Sequence, residues 1–161
     1  MAAATSAASQ GGHTIEANGV NFYYEVHGQG KPLLLLHAGS LTGDMWQPYL
    51  AGFVTRFRVI VPDMPNHGRS GNPKRTLSYR QLADEIVAFI QALDLARPVI
   101  VGFSDGGQVA LEIGMRYPTL PHCIAMGGVV FKDSDTWRAF VRDALGDVES
   151  PEVNKIGRAH V

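Results

Sequence analysis

The stretch from Val99 to Gly107, Val-Ile-Val-Gly-Phe-Ser-Asp-Gly-Gly, constrains the fold of this chain more than any other. Val99, Ile100 and Val101 are apolar at every position, which suits a parallel strand covered on both faces. The run then breaks at a serine flanked by glycines. A broadly apolar segment with Val109, Ala110, Leu111, Ile113 and Met115 restarts as a helix, which ends before Tyr117-Pro118 because a proline disfavours α conformation in the residue ahead of it. Gly102-Phe103-Ser104-Asp105-Gly106 fits the G-x-S-x-G turn that presents a serine at a sharp strand-to-helix junction. A residue in so strained a turn drives its neighbours two before and two after into each other, and glycines at 102 and 106 relieve that crowding. The Ser104 hydroxyl then stands above the sheet, beside the first N–H groups of the helix. Three fixed residues alone are a weak signal; the strand before and the helix after give it weight.

A chain of 161 residues is within the range of one domain with a real core. A net charge of −1, with charges spread along the sequence, offers no basic patch, so neither nucleic acid nor an anionic membrane is expected as a partner. No apolar run reaches the length of a membrane span, and Met1-Ala2-Ala3-Ala4-Thr5-Ser6 lacks the basic and apolar regions of a signal peptide, so a cytoplasmic location is expected. The single cysteine, Cys123, can form neither an intramolecular disulfide nor a cysteine zinc site and is expected to pack in a buried strand. No metal and no cofactor is called for.

Taken in order, residues 1–12 are small and polar without periodicity and are expected to be a disordered leader. Residues 13–132 carry the pattern of the core. Thr14 to Glu16 and Val20 to Val26 flank Asn18-Gly19, a two-residue hairpin signal, with Val20, Phe22, Tyr24 and Val26 on one face. Leu33-Leu34-Leu35-Leu36 suits an interior strand; His37-Ala38-Gly39-Ser40 and a short helical stretch around Gly43 to Ala51 follow. Phe57 to Val61 makes another strand, and Pro62 through Gly71 is a loop dense in turn formers. Ser78 and Gln81 form a capping-box signature ahead of Tyr79, Leu82, Ala83, Ile86, Val87, Ile90 and Leu93 at helical spacing. After the elbow, Cys123 to Met126 reads as one more parallel strand. Strands alternating with helices in this rhythm predict an α/β fold with a mostly parallel sheet, flanking helices and an antiparallel hairpin at the start. Residues 133–154 place Trp137, Phe140, Val141, Ala144 and Leu145 on one helical face, the expected start of a lid.

His37-Ala38-Gly39 after the third strand, Asp63 through Ser70 after the fourth and Gly102 through Gly106 after the fifth together resemble the α/β-hydrolase fold family, over nearly all of Thr14 to Leu145. The resemblance implies acyl transfer, with Ser104 as nucleophile toward a small-molecule, ester-like substrate. It implies an oxyanion hole of the Gly39 and Asp105 backbone N–H groups, with His37 shaping the oxyanion loop and Gly102 and Gly106 serving the elbow. Asp63 is expected to hold the N–H groups of its own loop. The family more often has glycine where Ala38 stands. Gly-Phe-Ser-Asp-Gly-Gly is similar to the elbow of the valacyclovir hydrolase, or biphenyl hydrolase-like, group, which implies amino-acid esters and a substrate ammonium held by the Asp105 carboxylate; a helix-capping role is the other reading of Asp105. The fold also hosts cofactor-free perhydrolases, lactonases and carbon–carbon bond hydrolases, and a non-catalytic binding protein on the same scaffold is a further alternative. A serine at the elbow argues against dehalogenases and epoxide hydrolases, which resemble this pattern with aspartate there.

The family order of nucleophile, acid, then histidine meets a departure here. After Ser104 the only histidines are His122, at the entrance to the sixth strand, and His160, beside the terminus. His37 and His67 lie on loops with other expected duties. The chain is therefore expected to be the N-terminal part of a longer hydrolase, weak or inactive by itself. Residues 155–161, Lys155-Ile156-Gly157-Arg158-Ala159-His160-Val161, resemble a translated sequencing adapter and are expected to be a non-native tail. A sixth strand left as a sheet edge is a template for self-association. The isolated chain is expected to run as oligomers in size-exclusion chromatography; a monodisperse, cooperatively unfolding monomer would count against that expectation.

Overall fold

Asn18 and Gly19, at φ 49° and 75°, form the tight turn that their sequence announces. They join β1 (Gln10–Ala17) to β2 (Val20–His27) as an antiparallel hairpin with Ala17 opposite Val20. The computed structural model describes residues 10–73 and 78–129. The leader expectation is corrected at its end: Gln10, Gly11 and Gly12 belong to β1, recruited by pairing with β2 across a register shift between Gln10 and His13. Backbone pairing needs no apolar side chain, so polarity alone hid these residues. The stretches read as the start of a lid and as a non-native tail lie outside the described residues.

The remaining strands are β3 (Lys31–Leu36), β4 (Phe57–Pro62), β5 (Val99–Phe103) and β6 (Cys123–Gly127). The sheet order is β1-β2-β4-β3-β5-β6. β2 runs antiparallel to β4, while β4, β3, β5 and β6 are mutually parallel along the sheet. The all-leucine run of β3 is buried because it lies at the centre, between β4 and β5. Its alternate residues serve two cores. Leu34 and Leu36 join Ile60, Ile100 and Phe22 beneath α2 (Tyr79–Ala92) and α3 (Asp105–Arg116). Leu33 and Leu35 join Val59, Val61, Trp46 and Leu50 beneath a 3-10 helix (Gly43–Tyr49) and the single turn α1 (Leu50–Phe53).

The α2 helix starts where its sequence says. Ser78 is the N-cap, its Oγ accepting the Gln81 N–H at 3.2 Å. The helix buries Leu82, Ala83, Ile86, Val87 and Ile90, and also Glu85 and Phe89. Phe89 meets the ring of Phe22 at 4.8 Å and thereby fixes the hairpin to the helix layer; burying a side chain of that size is worth about 1.5–3 kcal/mol. The Arg116 guanidinium pairs with Asp84 at 2.7 Å and ties α3 to α2.

Two expectations about burial need correction. Val99 and Val101 are half-buried, because among the described residues the face they share is covered only by the 3-10 helix and α1. Cys123 is exposed. It starts the edge strand β6, where only Ile124 turns toward the core beneath α3, while Cys123 and Ala125 face the other way and are exposed. No described helix is long and apolar enough to cross a membrane.

Replacing Ser78 by Ala should cost about 1 kcal/mol by loss of the cap, whereas Gly106→Ala should cost more, because its Cβ would strike the Leu36 and His37 carbonyl groups and no flexible side chain is there to yield. Urea unfolding of the two variants checks both the order and the size.

Candidate active site

At the carboxyl end of β5 the chain breaks at Ser104, whose φ of 53° and ψ of −115° are those of neither strand nor helix. A non-glycine residue held there stores on the order of 1–3 kcal/mol, so its surroundings must over-determine it. They do. The Ser104 N–H donates to the Gly127 carbonyl at 2.8 Å, the Ser104 carbonyl accepts the Gln108 N–H at 2.9 Å, and the Gly106 N–H donates to the His37 carbonyl at 3.1 Å. The two glycines of the motif are sterically required: a Cβ on Gly102 would collide with the Gly106 carbonyl, and one on Gly106 with the end of β3. Among the described residues Ser104 Oγ makes no hydrogen bond.

The His37–Ser40 loop lies against this turn with one peptide plane pinned at both ends and the next pinned at its carbonyl. In the first, the His37 carbonyl accepts from Gly106 and the Ala38 N–H donates to Met45 Sδ at 3.2 Å. In the second, the Ala38 carbonyl accepts His37 Nδ1–H at 2.7 Å and the Leu41 N–H at 3.3 Å. The opposite end of that trans plane is the Gly39 N–H, which has no hydrogen-bond partner among the described residues. Gly39 touches the Asp105 carboxylate so closely that a Cβ there would overlap Oδ2. The other carboxylate oxygen, Oδ1, accepts the Tyr79 hydroxyl at 2.8 Å, and burial followed by this bond and the nearby negative charge pushes the Tyr79 hydroxyl pKa well above 10. Asp105 also sits in the first turn of α3, the favourable place for a carboxylate.

His37 is fully buried. Its Nδ1–H is committed to Ala38, and its Nε2 accepts the Met64 N–H at 2.8 Å, so the ring is the neutral Nδ1–H tautomer. His67 stacks edge-on at 5.1 Å and directs its Nδ1 toward the Pro65 carbonyl. One residue before Met64, the buried Asp63 accepts the Gly43 N–H at 2.8 Å, the Arg69 N–H at 2.9 Å and Arg69 Nε at 2.7 Å. Its carboxylate thus holds two loops and faces no open space. Ser70 closes the same loop, donating to the Asp63 carbonyl at 2.6 Å and accepting the Tyr23 N–H at 2.9 Å.

Ser104, Asp105, Gly39, His37, Gly102 and Gly106 therefore form one contiguous cluster, and Asp63 supports it from behind through Gly43 and the Met64 segment. His122 stands just before the amino end of β6, about 20 Å along the sheet from Ser104 at 3.3 Å per residue. Sequence reasoning did not reach Tyr79, Met45, Arg69 or the Met64 amide. Arg69 lies in the turn-rich loop that drew attention to Asp63, but Tyr79 meets Asp105 across 26 residues and Met45 meets Ala38 through a sulfur, and neither pairing leaves a spacing signature.

On the acid side, His37 and Asp63 make stability depend on pH. Burial holds the His37 pKa below 6.5, with His67 adding to the effect and the Ala38 carbonyl, Asp63 and Asp105 opposing it. Burial pushes the Asp63 carboxyl up, but the Arg69 side chain and the Arg69 and Gly43 amides outweigh it and leave the carboxyl below 3.8. Each group binds its proton less readily folded than unfolded, so its contribution is complete above the unfolded pKa and is lost as pH falls from there toward the folded one. Denaturant-derived stability should fall first below about pH 6.5 and again below about pH 3.8, and His37→Gln should abolish the first step while keeping the second.

Residues 31–155 match the alpha/beta hydrolase fold family. Over 112 residues the chain is 32% identical to the magnesium-chelatase 30 kDa subunit of Rhodobacter capsulatus, covering 63% of this chain and 39% of that protein. Over 152 residues it is 26% identical to the (E)-2-((N-methylformamido)methylene)succinate hydrolase of Acinetobacter baylyi, covering 90% of this chain and 58% of that one. The chain thus spans roughly two-fifths to three-fifths of the length of these curated relatives. Among solved structures, the DbeA-M1 loop variant of a haloalkane dehalogenase from Bradyrhizobium elkanii superposes with a TM-score of 0.77 at 22% identity, over 92% of this chain and 54% of that one. With the sheet order, the elbow and the residues matched all in agreement, the chain belongs to the alpha/beta hydrolase fold family.

Proposed function

We propose that this chain carries the nucleophile and oxyanion hole of a serine hydrolase acting on ester-like carbonyls. The observation that carries this reading is the strained Ser104 beside a Gly39 N–H that no described residue uses. Ser104 Oγ would form a bond to the acyl carbon while a base removes its proton. The developing oxyanion would lie against the Gly39 and Asp105 amides, the alcohol would leave, and water would then cleave the acyl-enzyme. These steps need only protein groups and water. Among the described residues no histidine ring is hydrogen-bonded to Ser104, so the base that completes the reaction belongs to a part of the protein other than these residues. The named hydrolase activity of the Acinetobacter relative supports hydrolysis as the reaction class.

Asp105 narrows the substrate. Like charges repel, so the Asp105 carboxylate, in contact with Gly39, opposes an oxyanion developing at the hole. A substrate ammonium on the acyl carbon would offset it, and the contact of the Asp105 carboxylate with Gly39 supports a place for that group beside the hole.

A fluorophosphonate should add once to the protein, with peptide mapping placing the adduct on Ser104 and Ser104→Ala abolishing it. An adduct elsewhere, or saturable ligand binding with Ser104 unlabelled, would favour a binding protein on this scaffold. For a form of the protein that turns over, kcat/KM for an α-amino ester should exceed that for its des-amino analogue at least tenfold, a preference that Asp105→Asn removes; equal values would end the ammonium assignment.

A further inference from the structure

The thioether of Met45 occupies an unusual position for a methionine. It stands on the third residue of the 3-10 helix, after a capped start: Thr42 Oγ1 accepts the Asp44 N–H at 3.3 Å, and the Gly43 N–H is fixed to Asp63 Oδ1 at 2.8 Å. The carbons of Met45 pack against the apolar cluster of Leu33, Leu35 and Trp46. Its sulfur accepts the Ala38 N–H at 3.2 Å. A thioether sulfur is a weak acceptor, but an acceptor nonetheless, and leucine in the same space would fill the volume and accept nothing.

The direction of that bond matters because Ala38 and Gly39 are neighbours. Two successive amides of the loop could face the nucleophile or turn from it. The Ala38 N–H is drawn to the 3-10 helix by Met45, and the next plane is held by His37 Nδ1–H and Leu41 N–H on the Ala38 carbonyl. Only the Gly39 N–H of this pair is left without a partner among the described residues. We infer that Met45 is a positioning residue: by accepting the Ala38 N–H it fixes the loop in the arrangement that aims Gly39 at the oxyanion. The chain of support runs from Asp63 through Gly43 to Met45 and then Ala38. This inference rests on the reading of Ser104 as an acyl-transfer nucleophile, but the Met45–Ala38 bond can be tested without it.

Met45→Leu keeps the bulk and removes the acceptor; Met45→Gln restores an acceptor of similar reach. In the 161-residue chain, the maximal rate of Ser104 phosphonylation by a fluorophosphonate should fall about fivefold in the Leu variant, the scale of one net hydrogen bond. The half-saturating concentration should stay within about twofold, and the Gln variant should recover most of the rate. Hydrogen exchange of the Ala38 amide should quicken by a similar factor in the Leu variant and not in the Gln variant. Equal slowing by both substitutions would mean that Met45 acts by packing alone and would overturn the inference, as would an unchanged rate in the Leu variant. If Ser104 in the unsubstituted chain does not react at all, the same labelling is made on a form of the protein that carries the base, and only silence there ends the hydrolase reading. Ala38 exchange then still decides the bond, and exchange unaltered by Met45→Leu overturns the positioning role.

Discussion

One neutral imidazole holds the carboxyl edge of this sheet together. The His37 ring joins the Ala38 carbonyl to the Met64 amide, and its backbone carbonyl receives the Gly106 N–H. Three loops that follow three different strands are thus fastened to one buried residue. The arrangement demands a side chain that donates on one side and accepts on the other, which a buried histidine does only while uncharged. A second proton would leave the Met64 N–H facing a donor at a fully buried ring, and buried polar groups are costly when unpaired. Placing a histidine here makes the loop geometry both rigid and conditional on its protonation state.

The two aspartates of the edge show how surroundings separate residues of one chemistry. Asp63 is saturated by loop amides and by the Arg69 guanidinium, which also lies 3.8 Å over the Tyr23 ring and 3.0 Å from Asp44. Its charge is consumed in holding the loop after β4 against the 3-10 helix. Asp105 accepts the Tyr79 hydroxyl and lies in contact with the loop that presents Gly39. Two carboxylates on one edge thus hold different partners, Asp63 the amides and guanidinium of its own loop and Asp105 a hydroxyl from α2.

What was legible in the sequence was local. The Asn18-Gly19 turn, the Ser78 cap and the glycines at 102 and 106 each answer to steric or hydrogen-bonding demands within a few residues, and each appears where it was read. The four leucines of β3 announced burial, but their central position between β4 and β5 depends on pairings far apart in the chain. Cys123 was misread because its exposure is set by the edge position of β6 rather than by its own neighbours. Glu85 in the buried face of α2 interrupts the apolar period that revealed the helix. The pairs Tyr79 with Asp105 and Met45 with Ala38 are tertiary accidents of sequence, visible only once α2 and the 3-10 helix are set against the sheet.

The central place of β3 has a consequence for how the protein is made. Leu33 to Leu36 are synthesised before both of their partner strands, and β4, on one side, follows soon after. The partner on the other side, Val99 to Gly102, comes 66 residues later. At a ribosomal pace of roughly 5–20 residues per second, the leucine strand waits several seconds with one edge unpaired. During that interval the nascent chain displays its most apolar backbone edge to the cell, so the arrival of the elbow strand completes the sheet centre as well as delivering the serine.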